Sequence, residues 1–192
     1  MLVIRDGYVV TMNDSMDVFE GGAVAVEGGR IADVGPARDL ERKYPDAEFI
    51  SAKGGAVLPG LVSAHTHLFQ SLFRGIGDGL PLADWVGKCI FPLCRNLGRD
   101  ETYSASMVSI LEMLKTGTTT FVDSHYITRD KECYDAIAQA VSETGVRGVI
   151  GRSTVNCAPA PEDFWETPAV AERESIRVIE TYHNTCEGRL KV

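Results

Sequence analysis

The stretch PGLVSAHTHLFQSLFRG, residues 59–75, lies where the hydrophobic pattern of the chain changes period. Before it, apolar residues come in short β-branched runs joined by turn residues. After it, helix-length periodic segments alternate with short apolar strands. The fold is read by working outward from this boundary.

Downstream, AVLPGLVSAHTH is an apolar strand interrupted by Pro59-Gly60. A first helix is expected from Asp100 as N-cap, with Tyr103, Met107, Ile110, Leu111 and Leu114 on one face and Gly117 as its stop. The strand TTTFVD, 118–123, follows at once. A second helix carries Cys133, Ile137, Ala140 and Val141, ends near Gly145 and leads into the strand RGVIG. A third opens at Thr167-Pro168 with Ile176 and Ile179 on its apolar side, and RLKV begins another strand. Strand alternating with helix predicts parallel pairing through right-handed crossovers. A (β/α)8 barrel needs ~250 residues, or ~31 per unit. Residues 60–192 number 133, enough for about four such units. The fold class expected is therefore α/β, the first half of a TIM-type barrel; an open four-stranded α/β sheet satisfies the same arithmetic.

Upstream, LVIRDGYVV, GAVAVEGGRIADVG and AEFISAKGGAVLPG read as hairpins turning at Asp6-Gly7, Gly28-Gly29 and Gly54-Gly55. ARDLERKYPDAE carries about one helical turn before Pro45. Residues 1–58 thus form a small β segment, and residues 59–192 the βα portion.

Composition narrows the function. The formal charge of -8, with no Lys/Arg cluster, argues against nucleic-acid and anionic-membrane partners and for a small-molecule substrate. MLVIRDGYVV is broken by Arg5 and Asp6, so it reads as neither signal peptide nor span, and a cytoplasmic location is expected. The five cysteines, Cys89, Cys94, Cys133, Cys157 and Cys186, include no C-x-x-C pair and suit reduced, packed thiols.

His65 and His67 are two of only four histidines. On a strand, residues i and i+2 face the same way, ~6.6 Å apart along the chain, so two imidazoles can share one cation. A catalytic zinc takes about three protein ligands and keeps one position open, which makes the pair half of a site. Its place at the C-terminal end of the first barrel-like strand is where such folds hold their chemistry.

Pro59-Gly60, the apolar lead-in and HTHLFQSLFRG together resemble the amidohydrolase superfamily, whose first barrel strand carries a metal-binding His-x-His. DWV at 84–86 and GTTTFVD extend the likeness to the branch of cytosine/guanine deaminase, adenosylhomocysteine deaminase and triazine hydrolase. The resemblance implies that residues 1–58 are part of a small N-terminal β-sandwich. It also implies that His65 and His67 bind one divalent ion, Zn²⁺ or alternatively Fe²⁺. The reaction implied is hydrolytic deamination or dechlorination of a heteroaromatic ring, a purine, pyrimidine or triazine, by metal-activated water. Gln70 resembles a pocket glutamine of the triazine hydrolases. Trp85 suits stacking on a ring, and His125, just past TTTFVDS, suits donation to substrate. Two positions depart from the branch. Ser63 stands where many members have Asn, and Cys94 stands where adenosylhomocysteine deaminases carry a ribose-holding Glu.

In this superfamily the remaining metal ligands and the proton-transfer residues lie on later strands, so the catalytic residues are expected beyond residue 192. The chain then reads as an N-terminal portion or one half of a split enzyme, inactive alone, whose partner is the remainder of the barrel. Open sheet edges also favour homo-oligomers. The rival reading is a non-enzymatic α/β module acting by self-association, its His pair structural. His183, on the third helix, and Arg74 read as structural.

Overall fold

The computed structural model describes residues 1–127 and 129–192. The chain divides into two compact units, Met1–Pro59 and Gly60–Val192.

The first unit is one sheet with a short helix. Strand β1 (Leu2–Val10) pairs antiparallel with β2 (Val18–Glu27), which turns at Gly28-Gly29 into β3 (Arg30–Pro36). Helix α1 (Ala37–Lys43) sets Leu40 against Val3, Ala23 and Ala25, the small core of this unit. Strands β4 (Glu48–Ser51) and β5 (Ala56–Val57) both pair parallel with β1.

Two expected hairpins are thereby corrected. Asp6-Gly7 does not reverse the chain: β1 runs straight through, Asp6 adopts φ 61°, and the register shifts between Ile4 and Gly7. This is a bulge, one unpaired residue that bends a strand without ending it. Nor does Gly54-Gly55 fold β4 onto β5. The backbone groups of residues 52–55 bond instead to β1, with Ala52 N–H on Arg5 O, Gly54 N–H on Asp6 O and Tyr8 N–H on Gly55 O. The bulge frees the carbonyls that the loop then uses.

The second unit is α/β with a parallel sheet. Its order is β6 (Leu61–Thr66), β7 (Thr118–His125), β8 (Arg147–Arg152) and β9 (Leu190–Lys191). Helices α2 (Arg99–Lys115), α3 (Cys133–Thr144) and α4 (Pro168–Tyr182) connect successive strands. Between β6 and α2 lie a 3₁₀ turn, Leu68–Phe73, and a helical run over 82–94 whose middle, Val86–Ile90, is π-helical.

Helix α3 is the most deeply buried element. Ile137, Ala140 and Val141 face the core of Ile110, Phe121, Ile150 and Leu190, as the 3.6-residue period requires, and Cys133 is buried beside Thr102 of α2. Helix α2 deviates from expectation: Ile110 is buried, but Leu111 is 49% exposed and the inward face holds Thr102, Ala105 and Ser106. Small residues let α2 approach α3 closely enough for Thr102 Oγ1 to donate to Cys133 Sγ at 3.1 Å. Helix α4 starts where predicted, with Thr167 Oγ1 capping Val170 N–H, yet Ile176 and Ile179 point to solvent. Polar groups anchor its inner face instead: Arg177 and Tyr182 both donate to Asp135 of α3, and Val178 supplies the apolar contact.

Strand β6 is one edge of the sheet, with Leu61 and Val62 exposed. Its pairing with β7 is irregular twice. Between Leu61 and Val62 the partner strand carries an extra residue, Thr119; between Ser63 and Thr66 the extra residue is on β6. Gly60 follows from the first irregularity, since a Cβ there would lie 2.1 Å from Thr119 Oγ1. Glycine is required at this step for space rather than for backbone conformation.

Candidate metal centre

Strand β6 ends at Thr66, and the two histidines flank that end. Their ring centroids are 4.8 Å apart in an edge-on arrangement, with His65 exposed and His67 half-buried. The i, i+2 spacing has placed both imidazoles on one side, as the strand period demands.

His67 is oriented by its neighbour strand. Its Nδ1 lies 2.7 Å from Ser124 O on β7. A carbonyl only accepts, so Nδ1 holds the proton, and the lone pair of that tautomer is on Nε2, as a metal ligand needs. One residue on, Leu68 N–H donates to Asp123 Oδ1 at 2.9 Å. Residues 123–124 therefore grip residues 67–68 by two hydrogen bonds.

Below this grip is a buried polar pair. Asp123 and His125 are fully buried, alternating with Phe121 on the inward face of β7. Among the described residues, Asp123 Oδ2 and both ring nitrogens of His125 lack hydrogen-bond partners. Burial raises the Asp123 carboxyl to about 7, opposed by the bond from Leu68 N–H. Burial, then the nearby His67, lowers His125 to about 4. At neutral pH the imidazole is uncharged, so the 3.9 Å approach of Nδ1 to Asp123 Oδ2 is not an ion pair.

An amidohydrolase family model matches residues 56–190, and a bacterial imidazolonepropionase-like composite-domain model matches residues 22–47. The chain belongs to the amidohydrolase family. Among its curated relatives, a 5-methylthioadenosine/S-adenosylhomocysteine deaminase of Desulforudis audaxviator is 36% identical over 189 residues, covering 98% of this chain and 40% of the relative. A 5'-deoxyadenosine deaminase of Methanosarcina acetivorans is 32% identical over 193 residues, covering 99% and 40%. The chain spans about two fifths of the length of these two relatives. Among solved structures, atrazine chlorohydrolase from Arthrobacter aurescens TC1, complexed with zinc, superposes with a TM-score of 0.87 at 24% identity, covering all of this chain and 45% of that one. Guanine deaminase of E. coli superposes with a TM-score of 0.83 at 24% identity, covering 99% and 45%.

In this amidohydrolase chain the other expected site residues fall into two places. Gln70 and Trp85 line one cavity of about 380 Å³, shared with Arg74 and Asp78. Gln70 Nε2 donates to Tyr126 OH at 2.9 Å, and the Tyr126 ring stands 4.7 Å from the His67 ring. Trp85 Nε1 donates to Ile76 O, and a Cβ at Gly77, where φ is +77°, would meet Trp85 Cδ1 at 2.9 Å and Cys89 Sγ at 2.8 Å. His125 lies apart from them. Strand alternation turns its ring inward, between Phe69 and Tyr134, and it is not among the residues lining the cavity of Gln70 and Trp85.

Cys94 is fully buried, its thiol pushed up to about 12 by burial and then by Cys133. Arg74 forms a bidentate ion pair with Glu112 and His183 caps α4 against the backbone of Val192. Among the described residues no third His, Cys, Asp or Glu joins His65 and His67 as a metal-holding group, and no helix is long and apolar enough to cross a membrane. Sequence reasoning passed over Asp123, Ser124 and Tyr126. Asp123 carried a signal, a carboxylate directly after the apolar Phe121-Val122 of a strand; the backbone carbonyl of Ser124 carried none.

Proposed function

We propose that this chain is the N-terminal portion of a metal-dependent hydrolase that replaces an amino group, or chlorine, on a heteroaromatic ring with oxygen from water. The observation that carries the reading is the His65/His67 pair with His67 Nδ1 committed to Ser124 O, because it leaves two imidazole lone pairs free on one side. A donor set of two neutral imidazoles fits Zn²⁺, and Fe²⁺ as the alternative. The relatives, a 5-methylthioadenosine/S-adenosylhomocysteine deaminase and a 5'-deoxyadenosine deaminase, support the substrate class.

In this reading the parallel sheet is the first four strands of a (β/α)8 barrel and the small sheet is part of a β-sandwich. The third ligand and the proton-transfer carboxylate come from later strands, in keeping with the two fifths of the relatives that the chain spans. When bound, the ion supplies Lewis acidity that brings the pKa of water toward ~7. This chain's residues do the rest of what is assigned to it. Ser124 O and the Asp123 carboxylate hold His67 and Leu68 in place, Tyr126 shields His67, and Gln70 and Trp85 receive the ring, one by hydrogen bonds and the other by stacking. In deamination the new C–O bond forms at the ring carbon as the C–N bond breaks, and the departing amine leaves as ammonia after taking a proton.

The test is zinc titration of the purified chain against a competing chelator dye. Weak binding that disappears in His65→Ala/His67→Ala is the expected result. Zinc binding unchanged by the double substitution would remove the basis of the proposal.

A further inference from the structure

A buried ion pair lies on the strand beyond β7, away from β6 and its histidines. Arg152, the last residue of β8, sets two nitrogens against the two carboxylate oxygens of Glu166, Nη2 to Oε1 and Nη1 to Oε2, each at 2.8 Å. The two side chains are 3% and 8% exposed, and Lys131 Nζ donates to the same carboxylate. Taking charges out of water costs about what their attraction returns, so such a pair is a weak source of stability. What it adds over an apolar contact is direction, because the planar guanidinium fork meets a carboxylate in one geometry.

That direction reaches His67 through a short chain of contacts. The Arg152 guanidinium stands 5.7 Å from the centre of the Tyr134 ring. Tyr134, fully buried on α3, donates its hydroxyl to His125 O at 3.2 Å. Arg152 is also the register partner of His125, as Gly151 is of Ser124. The strands are so close there that a Cβ on Gly151 would lie 2.8 Å from Asp123 O. The end of β7 is therefore clamped between β8 and α3, and the adjoining carbonyl, Ser124 O, is the acceptor that fixes the proton of His67 on Nδ1.

We infer that Glu166 is a positioning residue for the candidate metal centre, acting through Arg152 and Tyr134 on the end of β7 that orients His67. The assignment rests on the metal-centre reading of the histidine pair and extends it to a carboxylate that touches neither histidine.

The test reads the His67 ring in metal-free protein by long-range proton–nitrogen NMR, above the histidine titration range, with His67→Ala for assignment. Wild type should carry the proton on Nδ1. In Glu166→Gln and in Tyr134→Phe the ratio of Nδ1–H to Nε2–H tautomer should fall about tenfold, the weight of one hydrogen bond. The double variant should fall no further than the deeper single one, since both act along one chain of contacts. Leu190→Ala opens a cavity at the opposite end of β8 and should leave the ratio unchanged. Zinc affinity, measured with the competing dye, should drop about tenfold in each of Glu166→Gln and Tyr134→Phe. If Glu166→Gln does not fold, Arg152→Lys, which keeps the charge and loses the fork, takes its place. A ratio that keeps its wild-type value in either single variant, additive losses in the double variant, or an equal fall in Leu190→Ala would overturn the inference. The ratio needs no metal, which separates the two readings. A responsive ratio in a chain whose zinc binding ignores His65→Ala/His67→Ala keeps the positioning and removes the metal centre; zinc binding that needs both histidines, with an unresponsive ratio, removes the positioning alone.

Discussion

The Asp123/His125 pair makes a prediction that ordinary surface charges do not. Asp123 is raised from 3.8 to about 7, so the folded state holds its proton more tightly than the unfolded chain. Its contribution is fullest below pH 4 and is lost as pH rises to 7, a span worth on the order of 4 kcal/mol at about 1.4 kcal/mol per unit. His125, lowered from 6.5 to about 4, behaves oppositely. Its contribution is full above pH 6.5 and is lost as pH falls to 4, on the order of 3 kcal/mol. Between those limits the two slopes oppose each other and nearly cancel. Asp123→Asn keeps an acceptor oxygen for Leu68 N–H and removes only the titration. Its stability relative to wild type should therefore climb by on the order of 4 kcal/mol between pH 4 and pH 7.5. His125→Asn should show the reverse trend, its advantage over wild type shrinking by on the order of 3 kcal/mol across the same range. Urea unfolding followed by circular dichroism in EDTA, at half-unit pH steps, measures both. A difference between Asp123→Asn and wild type that is flat with pH would refute the claim that this carboxyl is desolvated.

Three further outcomes follow from packing. Gly60→Ala drives a methyl into Thr119 and should cost roughly 1–3 kcal/mol in urea unfolding, with most of the loss restored by Thr119→Gly in the double variant; additive losses would disprove the contact. Ile137→Ala should cost about 2–5 kcal/mol and Ile176→Ala less than about 1, since the first is fully buried and the second 46% exposed. Val62→Lys, on the exposed edge of β6, should reduce any self-association seen by sedimentation velocity without lowering the melting temperature; an unchanged sedimentation coefficient in a self-associating sample would place the contact elsewhere.

How far the sequence led depends on which forces are local. Helix α3 was legible because one apolar face meets one core, and Thr167-Pro168 was legible because a cap and a proline act within a single turn. The orientation of α4 was not, because its inner face is held by Arg177 and Tyr182 on Asp135, some forty residues away in sequence, while its isoleucines face outward. Asp6-Gly7 reads as a turn in any hairpin grammar; that it is a bulge depends on β4 and β5 arriving to pair with the strand it bends. At the site, the histidine pair was visible as a spacing. What orients it, a main-chain oxygen on the next strand, has no letter of its own.

The doubled irregularity between β6 and β7 bears on which insertions and deletions this fold tolerates. One strand is long by a residue near Thr119 and the other by a residue near His65, so the two offsets cancel before the strands end. Deleting either extra residue alone slides the ends past each other by ~3.3 Å. The 2.7 Å bond from His67 Nδ1 to Ser124 O can lengthen by less than about 1 Å before it is lost, so it cannot follow. Deleting both restores the phase. Length changes in this strand pair are therefore admissible only in matched pairs, and a single-codon deletion on either side should be as damaging to the histidine pair as replacing one of its members.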